Sequence, residues 1–125
     1  MSSTDNSITL YHNPNCSKSR GALELLGKVT QDNKLRLQLV EYLKTPPDRE
    51  TLKTLLQQLS ESPAVLVRND KNFKALGLDA NDYTSSETVI ELLLKHPELM
   101  QRPVAVYNNK AAIGRPPELL LELFE

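Results

Sequence analysis

The chain contains a single cysteine, Cys16, which lies in a polar turn after a short apolar stretch. Asn13, Pro14, Asn15 and Ser17 surround it and are typical of an exposed loop, whereas a cysteine that only packs in a core usually has apolar neighbours. If a helix begins near Ser17, its free N–H groups and its dipole stabilise a thiolate. We therefore predict that Cys16 is an acidic, reactive thiol.

Positive charge close to this turn could add to the effect. His12, Lys18 and Arg20 are near Cys16 in sequence, although Arg20 could also point outward along the helix. The N–H groups that favour a thiolate also bind oxyanions, because both use the unsatisfied donors at the start of a helix. The turn is therefore a candidate site for a thiol and an oxyanion together.

Three arginines could complete such a site. Arg68 follows the apolar "AVLV", Arg102 precedes Pro103 and the apolar "VAV", and Arg115 lies between Gly114 and two prolines. A guanidinium group offers forked donors that match an oxyanion. Each arginine alone could be an ordinary surface residue, but their placement at the edges of predicted elements favours a shared anion site.

Composition limits the classes of function. The 125 residues include 15 basic and 16 acidic side chains, so no overall positive field attracts nucleic acid or an anionic membrane. The start "MSSTDNS" does not resemble a signal peptide, and no apolar run approaches the roughly 20 residues that span a bilayer. We expect a cytoplasmic protein, and a lone thiol agrees with a reducing compartment. Two histidines and one distant cysteine form no metal-ligand pattern, so no metal site is expected.

The elements that must position Cys16 follow from periodicity. Residues 8–11 alternate as a strand, and "GALELLGK" can bury one stripe of a helix, consisting of Ala22, Leu23 and Leu26. A second strand is predicted over residues 37–43. Asp48 is a candidate N-cap for a helix whose apolar face is formed by Leu52, Leu55, Leu56 and Leu59.

The second half of the chain predicts short helices, then a hairpin. Serines before "TVIELLLK" are typical helix caps, and Pro97 should stop or bend that helix. Asn108 and Asn109 tolerate positive φ and predict a tight hairpin, and "RPPELLLELF" predicts a final helix.

This order predicts an α/β protein with a thioredoxin-like arrangement. A βαβ unit gives parallel pairing, the hairpin adds an antiparallel pair, and the result is a small mixed four-stranded sheet with a helical insertion before the hairpin and last helix. We expect a flexible segment over residues 1–7 and a single domain over residues 8–125. In open α/β sheets, ligands gather beyond the carboxyl ends of the strands, where Cys16 would lie.

The motifs "YHNPNCSKSR", "LVRND", "QRPVAV" and "GRPPELL", in this order, resemble the glutaredoxin-linked arsenate reductase family over nearly the whole chain from Ile8. The resemblance implies a thioredoxin-like fold and reduction of arsenate. It further implies that Cys16 attacks arsenate, that His12 keeps it ionised, and that the anion is held by Arg68, Arg102 and Arg115. Pro103 resembles the cis-proline that faces the active thiol in such folds.

The number of electrons needed to reduce arsenate predicts the partners of this reaction. Reducing arsenic from the pentavalent to the trivalent state takes two electrons from thiols, and Cys16 is the only thiol in the chain. We expect glutathione as co-substrate, glutaredoxin as the protein that reduces the mixed disulfide, and no bound cofactor. The true physiological oxyanion stays open.

Two other functions stay open. A Spx-like regulator shares this fold and binds RNA polymerase, but its usual Cys-x-x-Cys switch is missing because Ser19 occupies the second position. A general glutaredoxin-like thiol exchanger would turn over mixed disulfides without arsenate as its physiological substrate.

Overall fold

The computed structural model describes residues 7–124, and its elements follow the predicted order. Helices α1 to α4 and strands β1 to β4 run in chain order as β1 Ser7–His12, α1 Ser17–Asp32, β2 Arg36–Glu41, α2 Arg49–Leu59, α3 Lys71–Ala75, α4 Ser86–Lys95, β3 Val104–Tyr107 and β4 Lys110–Ile113. Short 3-10 helices cover Pro63–Leu66, Ala80–Asp82, Pro97–Leu99 and Pro117–Phe124.

The chain divides into two compact units. The sheet unit combines the chain up to Thr45 with the chain from Arg102 onward, and the helical unit is Pro46–Gln101. The sheet has the strand order β2-β1-β3-β4, with β1 parallel to β2 and antiparallel to β3. The predicted mixed four-stranded sheet is therefore confirmed. That residues 8–125 form one domain stays a prediction.

The core of the sheet unit explains why α1 forms where it does. Ala22 and Leu26 are fully buried, as predicted, while Leu23 is only partly buried against the same cluster. Ala22 and Leu26 are one helical turn apart, so a single apolar stripe of α1 packs against the sheet. The remaining buried members of the cluster are Ile8, Leu10, Ala105, Leu120 and Leu123.

The helical unit confirms the predicted caps. The Asp48 carboxylate accepts a hydrogen bond from the Thr51 N–H at 2.9 Å, and the four predicted leucines of α2 are buried. Ser85 caps α4 in a capping box with Thr88. These side chains satisfy N–H groups that a helix start would otherwise leave unpaired.

Two boundaries differ from the prediction. Strand β2 ends at Glu41 and not at residue 43, because the Glu41 carbonyl accepts the N–H groups of Lys44 and Thr45, at 2.9 Å each, and turns the chain. Near the C-terminus, the predicted final helix is a 3-10 helix, Pro117–Phe124. The hairpin is as predicted, with Asn108 and Asn109 at φ values of 53° and 64°.

The N-terminal segment predicted to be flexible, residues 1–7, falls mostly outside the described residues. Only Ser7 of that segment is described, and it is the first residue of β1. Within residues 7–124, none of the helices has the length and apolar character needed to cross a membrane.

Candidate active site

Cys16 is the N-cap residue of α1, with an extended backbone at φ −107° and ψ 125°. The chain leaves β1 at His12 and turns so that the Cys16 N–H donates to the Asn13 carbonyl at 3.0 Å. The first turn of α1 contains no acidic residue that could compete for its free N–H groups. The sulfur therefore lies at the positive end of the helix dipole, partly exposed.

Ser19 anchors the turn through a hydrogen bond to Asn13. Its side chain is fully buried, and its hydroxyl oxygen accepts the Asn13 N–H at 3.3 Å. The Asn13 side-chain oxygen in turn accepts the Asn15 N–H at 3.0 Å. Arg20 donates to the Pro14 carbonyl at 3.0 Å, so its guanidinium binds the turn itself. These bonds fix the loop that carries the thiol.

The surroundings of Cys16 favour its anion. Burial alone raises the pKa of the thiol, but the Ser19 N–H, the Arg102 guanidinium, the Lys18 N–H and the Ser19 hydroxyl outweigh it, and the pKa falls below the usual value. The Cys16 side chain accepts no cap hydrogen bond from a backbone N–H of the helix start, so these N–H groups act on the sulfur through their partial charges. The direction agrees with the acidic thiol expected from the sequence.

Arg102 and Arg115 lie together in the sheet unit. One Nη atom of Arg115 donates to the Arg102 carbonyl at 3.0 Å, and the Gly114 N–H donates to the Pro103 carbonyl at 2.9 Å. The Arg102–Pro103 peptide bond is cis, and so is Arg115–Pro116, which the sequence did not predict. Two hydrogen bonds thus tie the segments that carry the two arginines.

His12, the last residue of β1, is buried at 4 % exposure. Its Nδ1 atom has no hydrogen-bond partner among the residues that the structure describes. The largest contributions that lower the Cys16 pKa come from Ser19, Arg102 and Lys18, so the part of His12 in ionising the thiol stays a prediction.

Arg68 belongs to the helical unit. Its guanidinium forms an ion pair with the Asp70 carboxylate at 2.6 Å, with both side chains about one-quarter exposed. Its N–H donates to the Leu99 carbonyl at 2.7 Å. Arg68 is therefore a well-held cation of that unit, and its predicted contact with an oxyanion stays a prediction.

Tyr42 is a candidate site residue that the sequence reasoning missed. Its side chain is completely buried, and the Cys16, Arg102 and Arg115 side chains all act electrostatically on its phenol. The strand predicted over residues 37–43 includes Tyr42 as one more strand position. The signal that could have found it is the βαβ unit, because residues that follow parallel neighbouring strands meet at one sheet edge.

Guanidinium and phenol groups lie within electrostatic range of the Cys16 thiol. Across the described part of the chain, no group of three or more His, Cys, Asp or Glu side chains is arranged to hold a metal ion. The arrangement around Cys16 can stabilise a thiolate next to a bound oxyanion. A thiolate in that position can attack the central atom of the oxyanion as a nucleophile.

Comparison with known proteins agrees with this chemistry. An uncharacterized protein of Escherichia coli (strain K12), YfgD, is 42% identical over 118 residues, which cover 93% of this chain and 95% of the relative. An arsenate reductase of Neisseria meningitidis serogroup A is 39% identical and covers 89% of this chain and 92% of the relative.

The structural comparison adds an arsenate reductase from Vibrio cholerae, with a TM-score of 0.79 and 36% sequence identity, covering 96% of this chain and 99% of that one. The predicted thioredoxin-like α/β fold is thereby confirmed. The model of the ArsC family matches residues 11–123, from the end of β1 almost to the C-terminus. The chain belongs to the ArsC family.

Proposed function

We propose that this protein reduces arsenate to arsenite at Cys16, with glutathione as co-substrate and glutaredoxin as the reductant of the resulting mixed disulfide. One observation supports this most strongly. Cys16, whose pKa lies below its usual value because backbone N–H groups and Arg102 surround it, is the only cysteine in the chain. Relatives that carry the name arsenate reductase support the choice of oxyanion.

The first step forms a covalent adduct. Arg102 and Arg115 hold the arsenate oxygens, and the Cys16 thiolate attacks arsenic so that a sulfur–arsenic bond forms. One oxygen leaves as water after taking up protons from the medium. Arsenic stays pentavalent in this step, because a thiolate has only replaced an oxygen ligand.

The second step transfers the electrons. The glutathione thiol attacks the Cys16 sulfur, a disulfide bond forms, and the electron pair of the sulfur–arsenic bond stays on arsenic. Arsenic becomes trivalent and leaves as arsenite. Two thiol sulfurs are oxidised for each arsenic reduced, and glutaredoxin then takes glutathione off Cys16 by thiol–disulfide exchange.

The direct test is a turnover assay with purified protein. Arsenite formation is measured with arsenate, glutathione and glutaredoxin together, and again with each component left out. We expect turnover only with the complete mixture, and none with Cys16→Ser. Turnover of glutathionylated substrates in a preparation that produces no arsenite would instead identify a general thiol exchanger and would contradict the proposal.

A further inference from the structure

The hydroxyl of Tyr42 is a buried polar group without a partner. The Tyr42 side chain is 0 % exposed, and its hydroxyl oxygen makes no hydrogen bond to the residues described between 7 and 124. The Asn13 side chain lies close enough to favour the phenolate, but no hydrogen bond of acceptable geometry joins the two groups. A buried hydroxyl left unpaired destabilises the fold, so proteins seldom keep one that has no use.

The sheet register places this hydroxyl at the site. Strands β1 and β2 run parallel and end with the pair His12–Glu41, so Asn13 and Tyr42 are the first residues beyond the same sheet edge. Cys16 follows Asn13 by three positions. The phenol is also within electrostatic reach of Cys16, Arg102 and Arg115. One buried O–H group therefore lies at the same end of the sheet as the thiol, within electrostatic range of the thiol and both arginines.

The protonation state makes this group a donor. Burial raises the pKa of Tyr42 to about 12, and the negative charge of a Cys16 thiolate raises it too, while Arg102 and Arg115 act in the opposite direction. The phenol consequently keeps its proton at neutral pH, while the pKa of Cys16 is shifted in the opposite direction, below its usual value. It can give a hydrogen bond without adding charge to the site.

We propose that the Tyr42 hydroxyl donates a hydrogen bond to an oxygen of the oxyanion that Arg102 and Arg115 hold beside Cys16. This inference rests on the proposed function, because it names a third donor for the same oxyanion. An oxyanion oxygen supplies the acceptor that the buried hydroxyl otherwise lacks. The two arginines provide charge, and Tyr42 provides a neutral donor fixed by the sheet edge.

The test compares Tyr42→Phe with the matched control Tyr107→Phe. Tyr107 is half-buried at the hairpin end of β3, where its ring packs on Phe124 with centroids 5.0 Å apart. The concentration of arsenate, and separately of phosphate, that half-protects Cys16 from iodoacetamide is measured for each protein. We expect this concentration to rise roughly 10- to 100-fold in Tyr42→Phe, the scale of one hydrogen bond to a charged group, and to stay unchanged in Tyr107→Phe.

Two further measurements on Tyr42→Phe separate a functional hydroxyl from a structural one. Its Tm should equal or exceed that of the wild type, because the change removes an unpaired buried group and keeps the ring. The pH midpoint of Cys16 alkylation without oxyanion should not move. A lower Tm would assign the hydroxyl to a structural contact, and a raised midpoint with normal protection would assign it to the thiolate. Either result overturns the inference.

Unchanged oxyanion protection in Tyr42→Phe also overturns it. The proposed function fails separately. If the wild type is protected by arsenate or phosphate but produces no arsenite with glutathione and glutaredoxin, only that function is contradicted, and weaker protection in Tyr42→Phe still supports the hydrogen bond. A wild type that no oxyanion protects would contradict both.

Discussion

At the scale of single residues, the chemistry of Cys16 depends on a balance between burial and nearby donors. Burial opposes ionisation of the thiol, and the backbone N–H groups of Ser19 and Lys18, the Arg102 guanidinium and the Ser19 hydroxyl overcome it. Ser19 is important because it serves two functions. Its oxygen accepts the Asn13 N–H, and its O–H is left to face the sulfur.

Replacing Ser19 by alanine should therefore raise the pKa of Cys16. The sign follows from the lost hydroxyl donor, which favours the thiolate over the thiol. The measurement is the rate of alkylation against pH, whose midpoint should move to higher pH in Ser19→Ala. Ser17→Ala is the matched control, since Ser17 is an exposed serine of the same helix turn. Identical midpoints for Ser19→Ala and wild type would remove the hydroxyl from the ionisation of Cys16.

Arg115 should matter through the geometry of its guanidinium as well as its charge. Arg115→Ala should cost about 2–4 kcal/mol of transition-state stabilisation, the scale of removing one preorganised donor. Arg115→Lys should recover only part of kcat/KM for arsenate, because an ammonium group cannot reproduce forked hydrogen bonding. Arg49→Ala is the control, since Arg49 is an exposed arginine of the helical unit, paired with Glu91. Full activity in Arg115→Ala would refute the role.

At the scale of elements, the residues of the site lie at the end of the sheet where β1 has its carboxyl end. Cys16 follows β1, Tyr42 follows the parallel neighbour β2, and Arg102 and Pro103 precede the antiparallel neighbour β3. Gly114 follows β4 at the same end of the sheet, and its N–H donates a hydrogen bond to the Pro103 carbonyl. Two connections between strands, β1–β2 and β2–β3, and the segment after β4 therefore supply the site.

Gly114 should tolerate no side chain. A Cβ atom there would lie 2.9 Å from Cγ of Leu120 and 3.1 Å from Cγ of Pro103, which is closer than packed carbon atoms approach. Gly114→Ala should reduce the free energy of unfolding by about 1–3 kcal/mol through overpacking. Denaturant unfolding measures this.

Gly27→Ala provides the control for that measurement. A Cβ atom at Gly27 meets nothing within 4 Å, and the residue lies inside α1, so alanine should stabilise the protein by about 0.5–1 kcal/mol. Equal stabilities for the two alanine variants would show that the close approach around Gly114 relaxes without cost.

The elements were more predictable from sequence than the contacts of the site. The buried leucines of α2 and its Asp48 cap follow from local spacing, because 3.6-residue periodicity and cap chemistry act within one helix. The end of β2 was predicted two residues too late, since the turn at Glu41 has no strong turn residue. The approach of Tyr42 to Cys16 was missed for the same reason, because a strand that continues to residue 43 does not place Tyr42 beyond the end of β2.

Site residues also differ in how far their roles can be predicted from local sequence. The acidity expected of Cys16 followed from the polar turn and the helix start, which are local features. Ser19 entered the sequence reasoning only as the missing second cysteine of a Cys-x-x-Cys switch. Its burial beneath the turn, from which its hydroxyl lowers the pKa of the thiol, depends on the packing of α1 on the sheet.

At the scale of the whole molecule, the number of thiols in the chain limits the reaction sequence that we propose. A net charge of −1 leaves no overall attraction for an anion, so binding must depend on the local groups around Cys16. A single cysteine also means that no internal disulfide can release arsenite, because disulfide formation needs a second sulfur. In the proposed reaction, the second electron must therefore come from a thiol outside the chain.

Mass spectrometry of protein quenched during turnover tests this central claim most directly. The protein is incubated with arsenate and glutathione in the absence of glutaredoxin, and the peptide that contains Cys16 is analysed without reductant, with Cys16→Ser as control. The account predicts one glutathione attached to Cys16 and none on the variant. A Cys16 peptide without glutathione in this incubation, together with steady arsenate reduction by a protein dithiol such as thioredoxin in a second incubation that lacks glutathione, would contradict it.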